Sequence, residues 1–398
     1  MAQTSTTDDP AREVVWLLAR PAPSDGERRD AASRLQRALE SGASPTLLVS
    51  ALAGHGLVPL AYRHLLASPG APVPDALADE LGAEFRRHAV SRFRFTQLLK
   101  AALDAIEAAG VAVVPFKGPT LAVQLHGNYA MRQYGDLDLL VHPADVAVAR
   151  EALVRAGLVA APAPIDSRWA QYLRCTRHSE ALTGHDGTLI ELHWSVADRF
   201  HGVDLRTSWL FEQTSTVDLV GRPTRAMSAE RLLLALCLHG ARHLWERAAW
   251  LSEIAALIVR TPDLDWPVAY AEADRIDLGR SLRACLRLCR DLLAVAPPDP
   301  WLAALDRDAG ARRLADALRM RVASPAARQD RLHDRFRLGL LARRTWPRRV
   351  QFCWRVATEL SERDMASLRQ PPRIPALHAL TRTLRLARRA RADRRAAG

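Results

Sequence analysis

Two aspartates one residue apart, Asp136 and Asp138, stand in the segment Gly135-Asp136-Leu137-Asp138-Leu139-Leu140-Val141. In a strand, residues two apart project to the same face, so both carboxylates point one way while Leu137, Leu139 and Val141 pack on the other. Two anions held together repel unless a cation joins them. Magnesium takes oxygen ligands, keeps several waters and completes its shell with one or two carboxylates and substrate phosphates. The pair therefore suits magnesium, or manganese in its place, carrying a nucleoside triphosphate. An isolated Asp-x-Asp also serves on a solvent-facing edge strand, where the acids only keep the strand soluble. Its neighbours decide its weight.

The first neighbour is Lys117-Gly118-Pro119, a turn between a short β-branched run (Val111 to Phe116) and a helix expected over Pro119 to His126. A turn opening a helix offers backbone N–H groups and the positive helix end to a phosphate, and Lys117 adds a point charge. Lys100 and Lys117 are the only lysines in a chain whose other basic residues are arginines, so a lysine at this turn stands out. Arg132 and Gly135 lie just upstream of the aspartates, where the guanidinium could clamp phosphate in its fork geometry or serve only as a surface charge. A third carboxylate is needed to activate an attacking hydroxyl or hold a second metal. Glu191 is the best candidate, because a strand over Thr188 to Trp194 puts Leu189, Glu191 and His193 on one face and Ile190, Leu192 and Trp194 on the buried one.

His239 and His243 are four apart on an expected helix, a spacing that can bind zinc, but no Glu lies between them and no third ligand is evident. With Trp245 and Arg247 they could face a nucleotide or acceptor from the helical part of the chain, since aromatic rings and arginine stack on bases. They could equally be core histidines that anchor helix packing.

Taken in order, Val114-Pro115-Phe116-Lys117-Gly118 followed by Met131-Arg132-Gln133-Tyr134-Gly135-Asp136-Leu137-Asp138-Leu139-Leu140-Val141 resembles the uncharacterised nucleotidyltransferase-like proteins of the polymerase-beta-type nucleotidyltransferase superfamily. The likeness extends upstream to Gly54-His55-Gly56-Leu57-Val58-Pro59-Leu60. Downstream it takes in Glu191-Leu192-His193-Trp194 and Leu238-His239-Gly240-Ala241-Arg242-His243 with Trp245, Arg247 and Trp250, so it runs from about Glu13 to Ile258. The resemblance implies that Asp136 and Asp138 are metal ligands, that Glu191 is the third acid, and that Lys117-Gly118 occupies the place of the superfamily's Gly-Ser turn. Glu253 stands where similar proteins often show an acidic residue.

The elements that must carry these residues can be read from periodicity. Helical spacing from Glu13 to Leu66 is broken at Pro21-Ala22-Pro23 and at Gly42-Ala43-Ser44-Pro45. A long helix is expected from about Asp75 to Ala109, with Phe95, Leu99, Leu103 and Ile106 on one face and Gly110 past its end. After the Asp136 to Val141 strand, Pro143 is expected to open a helix closed by Gly157. Ala160 to Asp166 reads as a loop, and Glu180 to Thr183 with Thr188 to Trp194 as a hairpin around His185-Asp186-Gly187. Helices are expected over Arg231–Leu244, Ala248–Val259, Val268–Asp277 and Arg280–Ala294, and beyond Pro325 the sequence sets no clear boundaries. The expected class is α+β: a small mixed sheet of nucleotidyltransferase type with helices, flanked by N-terminal and C-terminal helical regions. The expected divisions are residues 1–88 (helical), 89–222 (α/β core), 223–375 (helical) and 376–398 (Arg-rich tail).

Composition narrows the class further. With 398 residues, 48% of them hydrophobic, the chain is long enough for two or three domains and is not of disordered type. No run of about 18 uncharged apolar residues occurs, and Met1 to Pro10 carries Asp8 and Asp9 in place of a basic stretch leading into an apolar core. A cytoplasmic protein without a membrane span is expected. The five cysteines (Cys175, Cys237, Cys285, Cys289, Cys353) are odd in number and lack paired zinc spacing, so they read as free thiols buried on helices. Part of the net charge of +12 is concentrated in the tail, where seven arginines from Arg382 to Arg395 face one acid, Asp393. Such a tail could touch RNA, acidic lipid or an acidic partner, or be a solvated helix end.

The sequence therefore leads to an enzyme that moves a nucleoside monophosphate from an NTP to a hydroxyl or phosphate acceptor. The acceptor could be a small molecule, a peptide, a protein or RNA. Two other readings stay open: a non-catalytic nucleotide-binding or interaction module, and an RNA-binding protein using its basic tail, for which no RNA-binding motif is present.

Overall fold

The Asp-x-Asp segment forms an interior strand. In the computed structural model, which describes residues 10–67, 72–160, 177–196, 203, 205–322 and 332–358, five strands pair in the order β1-β2-β5-β4-β3. They are β1 (Val113–Pro115), β2 (Asp136–Val141), β3 (Val159–Ala160), β4 (Ser179–Thr183) and β5 (Leu189–His193). β2 pairs antiparallel with β1 and parallel with β5, while β4 is antiparallel to both β3 and β5, so the sheet is mixed. β1 flanks β2 only over Leu139–Val141, and Asp136 and Asp138 pair in register with β5, but Asp138 is 2% exposed and so is not a solubilising acid on a solvent-facing edge.

Around the sheet lie α1 (Pro10–Ala19), α2 (Asp25–Glu40), α3 (Pro45–Gly54), α4 (Val58–Leu65), α5 (Asp75–Ala108), α6 (Gly118–His126) and α7 (Val146–Arg155). After them come α8 (Thr207–Glu212), α9 (Ala229–Arg242), α10 (Ala248–Arg260), α11 (Trp266–Arg275), α12 (Gly279–Leu293), α13 (Trp301–Arg307), α14 (Ala309–Val322), α15 (Leu332–Ala342) and α16 (Trp346–Thr358). Local sequence sets several of these ends. Ser24 and Glu27 form a reciprocal capping box at the start of α2, and Ser44 caps α3 with Pro45 in its first turn. Gly127, at φ 73°, ends α6.

Two cores meet at the sheet. On one face Leu99, Leu103 and Ile106 of α5 and Leu153 of α7 pack against Leu137, Leu139 and Val141 of β2 and Ile190 and Leu192 of β5. Each such leucine contributes about 1.5–3 kcal/mol by leaving water. On the other face Leu140 joins a larger core that unites the N-terminal helices (Leu18, Leu57) with the C-terminal ones (Leu233, Leu251, Leu282). Alternation along β2 and β5 therefore turns the acidic positions toward the C-terminal helices.

The fold is α+β, as expected, and β2 coincides with the expected strand. α5 runs unbroken through residues 88 and 89, so one helix serves both the N-terminal region and the α/β core. Pro143 does not open α7. The chain first makes a turn, with Asp145 N–H donating to the His142 carbonyl at 2.9 Å, and the helix begins at Val146. A two-stranded sheet, β6 (Thr214–Asp218) with β7 (Pro223–Met227), had no counterpart in the sequence reading. Ala160 lies in β3 rather than in a loop; residues 161–166, Cys175 and the tail 376–398 lie outside the described residues. Cys237, Cys285 and Cys289 are buried free thiols and Cys353 is a half-buried one. No helix among the described residues is long and apolar enough to cross a membrane.

Candidate active site

Register brings the acids of two strands together. On parallel strands β2 and β5, Asp138 is paired in register with Glu191 and Leu140 with His193. Asp138 is 2% exposed, whereas Asp136, one position nearer the strand start, is half-buried.

Two groups converge on Asp138, and one of them also meets Glu191. Lys117 Nζ donates to its Oδ1 at 2.8 Å, and His193 Nε2 stands 3.0 Å from the same oxygen and 3.1 Å from Glu191 Oε2. Neither His193 contact has hydrogen-bond geometry, and Asp138 Oδ2 is buried with no hydrogen-bond partner. A buried carboxylate oxygen without a donor is costly unless a ligand completes it. The site is therefore chemically suited to a cation.

The ionisation of these groups follows from their surroundings. Burial alone would raise the Asp138 carboxyl, but Lys117 and His193 overcome it and hold the group well below the usual carboxylate range. Asp136 is raised, first by burial and then by the charge of Asp138, with Glu191 adding to it. Glu191 is lowered by its contact with His193. Burial would lower His193, but Asp138 and Glu191 outweigh it and raise the imidazole. The cluster thus holds more negative charge than its own cations compensate at Asp136.

The Lys117-Gly118 turn packs tightly onto β2. Gly118 opens α6 at φ 57°, and a Cβ there would stand 3.3 Å from Leu137 Cδ2. Glycine satisfies both constraints. Gly135 has no such requirement: it is exposed, with a backbone any residue adopts and no atom within 4 Å of a built Cβ.

Arg132 reaches away from the strand. Its Nε donates to Glu253 Oε1 at 2.7 Å in a buried ion pair with helix α10. Burial opposes its charge, but Glu253, with Asp138 and Asp136 nearby, raises the guanidinium further. The pair joins the loop before β2 to the C-terminal helices.

His239 on α9 and His243, which caps its end, sit with ring centroids 4.7 Å apart, and each lies 5.2 Å from the Trp250 ring. Burial, then the positive charge of Lys117 for His239 and of Arg242 and Lys117 for His243, lowers both imidazoles, His243 to about 4. They are neutral rings at neutral pH, fitted for stacking rather than for ion pairing with phosphate. Trp245, placed with them by the sequence reading, is instead 1% exposed and packs on Gly240.

The structure brings together Lys117, Asp138 and Glu191, keeps Asp136 beside them on the same strand, and places Arg132 in a separate bridge. Sequence reasoning gave no role to His193 or Glu253. The first had a signal, since it shares the Glu191 face at a spacing of two. The second had none beyond a family likeness, because its partner lies 121 residues away.

Comparison with known proteins places the chain in a family. A family model described as uncharacterised nucleotidyltransferase matches residues 41–294, from the end of α2 to the end of α12. No curated protein and no solved structure matches the chain. The matched span covers well over half of the sequence and contains every site residue named above, so the chain belongs to the uncharacterised nucleotidyltransferase family.

Proposed function

We propose that the chain transfers a nucleoside monophosphate from an NTP to a hydroxyl or phosphate group of a small-molecule, peptide or protein acceptor. Asp136, Asp138 and Glu191 would hold magnesium, or manganese in its place. The observation that carries this reading is the buried Asp138 carboxylate set in register with Glu191, one of its oxygens without a hydrogen-bond partner. When bound, the ion supplies charge neutralisation at the α-phosphate and a template for in-line displacement.

The chain's own groups divide the remaining tasks. Lys117 fixes Asp138 through Oδ1 and sets a positive charge beside the start of α6, whose first-turn N–H groups favour phosphate oxygens. Glu191, ionised at neutral pH, or a second ion that it holds, would assist removal of the acceptor hydroxyl's proton. The acceptor oxygen bonds to the α-phosphorus, the bond from that phosphorus to the bridging oxygen breaks, and pyrophosphate leaves. His239, His243 and Trp250 offer neutral and aromatic faces to the base or the acceptor.

The test is to incubate the pure full chain with magnesium and α-labelled NTPs, alone and with cell extract, beside the double variant Asp136→Ala, Asp138→Ala. Label transfer by the wild type and not by the variant is expected. Equal transfer by both would remove the catalytic assignment, and equal nucleotide binding with no transfer by either would favour a binding module.

A further inference from the structure

We propose that His193 is itself a ligand of the ion, through Nε2, so that the site selects divalent transition ions of the manganese-to-zinc series over magnesium. This rests on the metal-site reading above and extends it to a residue outside the three-carboxylate set.

The geometry is specific. His193 is 2% exposed and so cannot turn to solvent. Its Nε2 is 3.0 Å from Asp138 Oδ1 and 3.1 Å from Glu191 Oε2, and ligand atoms of all three residues lie within 4.8 Å of one another. Two ligands at right angles on an ion with bonds of about 2.1 Å stand about 3.0 Å apart. Both His193 contacts have that spacing, and neither has hydrogen-bond geometry. The donor nitrogen thus approaches two carboxylates without the alignment that a proton bridge would select. A carboxylate oxygen has two lone-pair directions, so Lys117 on Oδ1 leaves one for an ion, and Oδ2 is buried with no hydrogen-bond partner.

Ligand chemistry then sets the preference. Magnesium favours an all-oxygen shell, whereas an imidazole nitrogen suits later first-row ions. Any nitrogen- or oxygen-rich site binds cobalt more tightly than magnesium. The diagnostic quantity is therefore the change in selectivity when the nitrogen is removed.

The experiment titrates the full chain, without nucleotide, with magnesium, manganese or cobalt chloride in a calorimeter, for wild type, His193→Gln and Asp138→Asn. His193→Gln is expected to weaken cobalt by about tenfold or more, and magnesium by under about threefold. A second measurement needs no variant: pulsed electron paramagnetic resonance of manganese bound to the wild type should show a nitrogen coupling from a directly bound imidazole. An equal loss for all three ions would make His193 a positioning residue that clamps the carboxylates, and would overturn the proposal. Unchanged affinities, or no nitrogen coupling, would overturn it as well. If the affinities of all three ions are unchanged in His193→Gln but binding is lost in Asp138→Asn, only the His193 assignment falls. If no ion binds the wild type with or without ATP, the metal-site reading falls with it.

Discussion

Arg132 and Glu253 form a buried ion pair at 2.7 Å between residues 121 positions apart, with side chains 8% and 5% exposed. It ties the loop leading into β2 to helix α10, and so ties the acidic strand to the C-terminal helices that face it. Removing one member leaves a charge in a place water cannot reach.

Glu253→Ala is therefore expected to cost about 3–5 kcal/mol, and Arg132→Ala a similar amount. The double replacement Arg132→Met, Glu253→Leu should cost far less than the sum, because it strands neither charge. Urea denaturation of the four proteins measures the cycle. Additive losses would mean that the pair does not act as a unit.

A second expectation concerns Gly118. Its φ of 57° and the 3.3 Å approach of a built Cβ to Leu137 Cδ2 act together. Gly118→Ala should cost about 1–3 kcal/mol, from the left-handed backbone and the overpacking. Gly135→Ala, where a Cβ would meet open space, should be close to neutral. Thermal melts of the two variants compare them directly, and equal losses would contradict the geometry.

The buried histidines set an acid limit. Burial, first, and neighbouring arginines lower His64 and His88 to about 4 and His126 to about 3. In the unfolded chain a histidine titrates near pH 6.5. Between these values the unfolded state binds more protons than the folded one, so stability is fully present above about pH 7 and falls as pH drops toward 4. For His64, 4% exposed, the loss is about 3 kcal/mol. Urea midpoints at pH 7.5, 6 and 5 should decline in that order. His64→Gln, which keeps a donor for the Arg20 carbonyl now 3.1 Å from Nε2, should flatten the decline. A midpoint independent of pH would refute this account.

How much of this was written locally explains what the sequence made readable. The period-two alternation of Asp136 to Val141 and the Glu191 and His193 face needed only near neighbours, so β2, β5 and their acids could be placed in advance. The β6 and β7 hairpin was not readable, because Thr214, Ser215, Thr216 and Asp218 are exposed and give no apolar alternation. Arg132 pointed toward phosphate by proximity in sequence, while its actual partner comes from a helix folded back from far along the chain. Trp245 looked like a stacking residue, but it holds φ 55° and fills the space above Gly240, where a built Cβ would stand 2.2 Å from its ring. Local pattern showed the strands and which acids share a face; long-range packing decided which charges meet.

The two aspartates should respond oppositely to the same substitution. Asp138 is lowered because Lys117 and His193 depend on its charge, so Asp138→Asn leaves both cations without their buried anion. A loss of about 2–4 kcal/mol is expected. Asp136 is raised by burial and by Asp138, so its charge is a burden on the folded chain. Asp136→Asn should raise stability in the absence of metal by about 0.5–1 kcal/mol while abolishing transfer, the pattern of a site that keeps unfavourable charge for its ligand. Denaturation in excess chelator reads the first effect. Adding divalent ion should then reverse the order, because the wild type gains stability from binding and Asp136→Asn gains less. If both substitutions destabilise the metal-free protein equally, the repulsion ascribed to Asp136 is not present, and its place in the ion's ligand set loses its electrostatic support.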